Sequence, residues 1–128
     1  MKPYLPPLLV AIGGALGALA RYGLGGWVQQ QVRHSFPYGT LIVNLLGCLL
    51  MGVLMHWIDR NIVRSEFRLF FGIGVLGGFT TFSSFSWEAL HLFQQRSMAG
   101  GLLYVGASLL GCLAMVTTGY TVAQTIWK

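Results

Sequence analysis

The chain has 128 residues, of which 55% are hydrophobic and only 9% charged, and its mean hydropathy is +0.66. A soluble domain carries about 25% charged residues, so this chain has too few to cover a water-facing surface, and its apolar content excludes disorder. The net charge of +5 reflects a shortage of acids, since Asp59, Glu66 and Glu88 are all there are; the basic residues form no cluster of the kind a nucleic-acid partner requires. The reading is a single-domain integral membrane protein, residues 1–128.

Four apolar runs follow in order, at 8–28, 38–58, 69–93 and 101–127, each near the roughly 20 residues a helix needs to cross a bilayer. The connectors 29–37, 59–68 and 94–100 are short, which predicts antiparallel neighbours and a compact up-down bundle. Trp27, Tyr38, Trp57 and Trp127 stand at or near run ends, where amphipathic rings favour the headgroup level.

In the first run, Lys2, an apolar core and Ala18-Leu19-Ala20 have the outline of a cleaved signal. Apolar character nevertheless resumes after Arg21, and Gly13-x-x-x-Gly17 offers a close-packing face that a discarded segment would not need. The run is read as a retained helix. Arg21 is expected to snorkel towards an interface. By topology Lys2, Arg60, Arg64, Arg68 and Lys128 share one side, and Arg33 and Arg96 the other; this weak asymmetry permits insertion in both orientations.

The second run holds one amide, Asn44, with Thr40 one turn before it and Cys48 one turn after. Such a group must face protein or water; it is either an interhelical hydrogen bond that fixes packing or a donor facing a pore. The third run is the unusual one. Gly77-Gly78 followed by Phe79-Thr80-Thr81-Phe82-Ser83-Ser84-Phe85-Ser86 makes a poor continuous helix, and a break in hydrocarbon is tolerated only within protein or beside a hydrated cavity. Phe82 and Phe85, three apart, are either core packing or rings whose positive edges solvate an anion. Glu88 shares a helical face with Ser84 and His91, which makes a carboxylate–histidine pair and a proton-coupled carrier conceivable. His34 and His56 have no evident ligand partners. In the fourth run Tyr104, Ser108 and Cys112 recur at four-residue intervals as a thin polar stripe. The hydroxyls either bond their own backbone or form a ladder of donors. No nucleophile triad, phosphate loop or metal-ligand spacing occurs in the sequence, so an enzyme has little support.

The stretch from Gly77 to Glu88 closely resembles the third-helix signature of the Fluc (CrcB) fluoride channels. Gly14-x-x-Gly17-x-x-x-Arg21-Tyr22 and Gly39-Thr40-x-x-x-Asn44-x-x-Gly47 agree with it, and the resemblance covers essentially the whole chain. It implies a dual-topology, antiparallel homodimer in a bacterial cytoplasmic membrane, exporting fluoride passively through two separate pores. Pore residues carried over are Asn44, Phe82 and Phe85, with Thr81, Ser83 and Ser84 nearby and Tyr104 and Ser108 on the fourth helix. Cys112 stands where some relatives have serine. Arg21 resembles the arginine that makes the family's vestibule positive, and the main-chain carbonyls of Gly77 and Thr80 map to a structural sodium ion (Na+) at the dimer centre. The rivals are a proton-coupled small multidrug-type transporter, which needs an intramembrane carboxylate, and a non-transporting membrane scaffold.

Overall fold

The computed structural model describes residues 4–33, 35–95 and 98–127; Lys2, His34, Arg96 and Lys128, on which part of the charge and histidine reading falls, lie outside the described residues. Four helical spans are long and apolar enough to cross a membrane. Helix α1 (Leu5–Val32) opens with prolines in its first turn, where their missing N–H groups have no helical partner to lose. It stops at Arg33, whose left-handed φ of 46° turns the chain while its N–H still donates to Gln29 O. Helix α2 (Tyr38–Asp59) follows.

The third span, Ser65–Gln95, is two pieces. Its first piece, α3 (65–79), is α-helical over Ser65–Phe67, π-helical over Arg68–Leu76 and α-helical again over Gly77–Phe79. Thr80 and Thr81 are not helical, and α4 (Phe82–Gln95) then begins. Helix α5 (Met98–Ile126) completes the fold. The spans run a few residues beyond the apolar runs because helix geometry continues into the polar interface, whereas hydropathy marks only the hydrocarbon.

Glycine seams hold the bundle. A Cβ on Gly13 would collide with Phe70 O and Gly74, one on Gly17 with Val75 O, and one on Gly78 with Gly14 O. Thus the small-residue face predicted in the first run meets the glycines of α3 backbone to backbone. A second seam joins α2 to α5, where Gly52 abuts Val116 O and Gly119 abuts Leu49 O. Helix α4 packs on α5 through Phe85, Ala89, Leu92 and Tyr104.

At one end of the bundle Trp57 meets Trp127 edge to face at 5.2 Å, and Tyr120 Oη donates to Asp59 at 3.1 Å. The ends of α2 and α5 therefore coincide, which is the up-down-up-down order expected, and Arg60 and Arg64 lie at the end opposite Arg33. Only 11% of the apolar window of α1 and 17% of that of α5 are buried. Such outward-facing apolar surface would be untenable in water. This is a multi-pass membrane protein, with those faces covered by lipid or protein.

The seams make a direct prediction. Gly17→Ala should destabilise the protein by about 1–3 kcal/mol, because the added methyl presses on backbone that cannot rotate away, whereas Gly23→Ala enters open space. Thermal unfolding in detergent should show a lower midpoint for the first variant and an unchanged or slightly raised one for the second.

Candidate functional site

The site is built around the break in the third span. Thr80 adopts an extended conformation, φ −82° and ψ 156°. Its N–H and its Oγ1 both donate to Leu76 O, at 3.0 and 2.9 Å, which closes the end of α3. Thr81 then turns away from the helix, and its backbone is clasped by Asn44: the Thr81 N–H donates to Asn44 Oδ1 at 2.8 Å, and Asn44 Nδ2 donates to Thr81 O at 3.0 Å. Thr81 also caps α4, its Oγ1 accepting the Ser84 N–H at 3.2 Å, the arrangement an N-cap hydroxyl provides three residues ahead.

Two further contacts hold the break. Arg21 Nε donates to Gly78 O at 3.1 Å. The guanidinium thereby makes a charge-assisted bond to a main-chain carbonyl at the break, a partner that the expected snorkelling towards an interface did not include. Gly47, one turn from Asn44, leaves room for the Thr80 methyl, which a Cβ there would strike. Two further carbonyls at the break are those of Gly77 and Thr80. The Thr81 N–H that would have reached Gly77 O is held by Asn44. The Ser84 N–H that would have reached Thr80 O is held by Thr81 Oγ1.

Two cavities have Thr81 in their lining. The wider, about 740 Å³, is lined by Arg21, Trp27, Gln29, Thr40, Ser84 and Glu88 among others. The narrower, about 340 Å³, is lined by Asn44, Cys48, Phe82, Phe85, Ser108 and Cys112 among others. Thr81 lines both. Asn44 keeps one amide N–H beyond the one given to Thr81, and Ser108 Oγ is buried without a hydrogen-bond partner. The Phe82 and Phe85 ring centroids are 5.3 Å apart at an interplanar angle of 48°. Phe85 is 7% exposed and Phe82 73%, so only one of the two rings is packed within the protomer.

The structure thus brings Asn44, Thr81, Phe82, Phe85 and Ser108 to the narrow cavity and Arg21 and Ser84 to the wide one. Ser83 and Tyr104 line neither. Ser83 lies 3.3 Å from the Thr81 hydroxyl. Tyr104 is fully buried, and its hydroxyl donates to Glu88 Oε2 at 2.6 Å. Thr40 Oγ1 donates to the other Glu88 oxygen at 2.7 Å. These bonds overturn the suggested Glu88–His91 pair: His91 shares only a small side cavity with Glu88 and lies by Trp87. A half-buried carboxylate takes two short hydroxyl bonds in preference. The Thr40–Glu88–Tyr104 bridge joins α2, α4 and α5, and sequence reasoning missed it. The signal was there in Thr40, placed one turn from Asn44, but the pairing depends on how the two helices face each other.

Fold and site together define a multi-pass helical membrane protein whose broken third span lines two cavities, one bearing charged side chains and a narrower one with neutral donors. The family described as CrcB-like protein, Camphor Resistance (CrcB), matches residues 8–120. Similar proteins include the fluoride-specific ion channel FluC of a Thermus thermophilus strain, 50% identical over 113 residues covering 88% of this chain and 89% of the relative. The protein of that name from a Synechococcus species is 46% identical over 85% of both chains. That of Agrobacterium fabrum is 42% identical over 93% of this chain and 96% of the relative. The chain belongs to the CrcB family.

If the clasp secures the break, Asn44→Ala leaves the Thr81 N–H and C=O without partners, at a cost of about 1–3 kcal/mol for each group left buried. The expected result is a lowered unfolding midpoint together with faster backbone hydrogen exchange at residues 80–82. An unchanged exchange rate there would show that the break is held by other contacts.

Proposed function

We propose that the chain forms a passive, fluoride-selective channel. The observation that carries the reading is that Thr81, at the break, lines both cavities. In this reading an anion passes from a vestibule bearing Arg21, by way of Thr81, to neutral donors: the spare Asn44 N–H, the unpartnered Ser108 hydroxyl and the Phe82 and Phe85 rings. Fluoride is small and strongly hydrated, so each water lost must be replaced by a close donor. Neutral donors do this without binding too tightly for exit. The relatives named as fluoride-specific channels support the same ion.

The proton-coupled carrier fits less well. It needs a carboxylate free to exchange protons and cargo, and both Glu88 oxygens are engaged by hydroxyls. The other acids, Asp59 and Glu66, stand outside the apolar core of the spans. A channel needs no catalytic cycle, and the reading requires none.

An antiparallel homodimer is part of the proposal. Gly77, Phe82 and Ser83 lie exposed along one stretch of the break, a surface that a second copy in the opposite orientation would cover. There the carbonyls of Gly77 and Thr80 from both copies would hold one sodium ion. The fit rests on carbonyl oxygens whose helical N–H partners have been diverted. When bound, the cation supplies positive charge that satisfies several freed oxygens at once.

Purified protein in liposomes should release fluoride rapidly and electrogenically, with chloride retained; absence of efflux, or efflux that requires a proton gradient, rejects the channel. Phe82→Ile and Phe85→Ile should each slow fluoride efflux by roughly tenfold or more, equivalent to about 1.4 kcal/mol on the barrier, while assembly is kept. Normal flux in both returns the rings to packing. Copies biased by added lysines to opposite orientations should each be inactive alone and active when co-expressed; full activity from one fixed orientation overturns the antiparallel arrangement.

A further inference from the structure

The narrow cavity contains a feature that the channel reading does not use. Cys48 on α2 and Cys112 on α5 both line it, and both are free thiols. Glycine contacts set α2 against α5 in one register, with Leu45 on Gly111 and Gly52 on Val116 O, and Cys48 and Cys112 lie between these two contacts on an interface that cannot open widely. Beside them lies the Ser108 hydroxyl, 95% shielded and without a partner. Two thiols and an unsatisfied hydroxyl, converging on a cavity with no fixed charge of its own, form a donor set for a soft cation of low coordination number.

We propose that Cys48 and Cys112 form a two-coordinate site for a soft d10 metal ion, with Hg2+ as its best-matched occupant, and that occupancy closes the narrow cavity. Binding exchanges the two thiol protons for metal: Hg2+ and two S–H groups give one S–Hg–S unit and two released protons. The charge balance favours the divalent ion. Two thiolates neutralise Hg2+ completely, whereas a monovalent ion of the same kind would leave a net negative charge in a low-dielectric cavity. Hard cations such as Mg2+ and Ca2+ prefer oxygen donors and do not compete. The site itself needs only the two thiols, whereas its blocking effect rests on the fluoride-channel reading above.

The experiment uses the full-length protein and Hg2+ as the probe. Intact mass measured under native conditions should show one mercury gained and two hydrogens lost per chain, reversed by excess dithiothreitol. This readout needs no transport activity, so the metal site and the channel reading fail separately. Cys48→Ser and Cys112→Ser should each weaken binding by more than the roughly 100-fold that loss of an outer-shell partner costs. In liposomes, fluoride efflux relative to each protein's own untreated rate should fall to near zero with Hg2+ for the wild type and change little for the double variant. Two mercury ions bound independently per chain, or undiminished binding in the double variant, overturns the site. Stoichiometric binding with undiminished efflux overturns the closure. Because the wild-type mass shift alone tests the dithiolate, the inference stays falsifiable if a variant fails to fold.

Discussion

The Asn44–Thr81 clasp is the interaction on which the rest depends. Hydrocarbon offers no water to a freed N–H or C=O, and each costs several kcal/mol if left alone, so a transmembrane helix can be interrupted only where the protein supplies substitutes. One primary amide does so for a whole residue, accepting from the Thr81 N–H and donating to the Thr81 carbonyl. A leucine, serine or carboxylate could not serve both. The amide has a second N–H, and Asn44 also lines the narrow cavity. The structural and the conducting readings of this residue are therefore two uses of one group.

Such a clasp works only at hydrogen-bond range, and this requirement spreads through the bundle. Asn44 reaches Thr81 because Gly47 admits the Thr80 methyl. The end of α3 is steadied from the other side by α1, where Gly14 accepts the approach of Gly78 and Arg21 binds the Gly78 carbonyl. The glycines that looked like general small-residue packing are thus the spacing elements of the break. They let three backbones converge where the chain leaves the helix.

Much of this was legible in the sequence. Apolar runs separated by short polar connectors gave four antiparallel spans, and the poor helix formers from Gly77 onwards located the interruption. What could not be read was its extent. Only Thr80 and Thr81 leave the helix, because capping by Thr81 restarts helical geometry at once despite the hydroxyl-rich sequence that follows. Nor is the π-helical stretch Arg68–Leu76 visible in composition. The polar residues divided along the same line. Asn44, Phe85 and Ser108 could be placed from a single helix face, but the partners of Glu88 and Arg21 depend on the rotation of neighbouring helices, which periodicity does not fix. Tyr104 shows the consequence: it keeps its place on the fourth-helix stripe, yet its hydroxyl turns to a carboxylate from α4.

The distribution of charge explains why the two cavities differ. Arg21 and Glu88 both lie on the wide one, where water can screen them, and each is further occupied, by the Gly78 carbonyl and by two hydroxyls respectively. Among the described residues, the narrow cavity has no ionised side chain in its lining. A cation 4 Å from a passing anion would hold it by about 4 kcal/mol at an effective dielectric of 20, enough to slow its departure about a thousandfold. A carboxylate at that distance would bar its entry by as much. Charge is therefore useful only at the mouth, where it concentrates anions, and the confined segment must rely on dipoles and ring edges whose individual attractions are weak. A helix break clasped by an amide meets that condition, since it brings backbone and side-chain dipoles to the narrow cavity without placing a fixed charge in its lining.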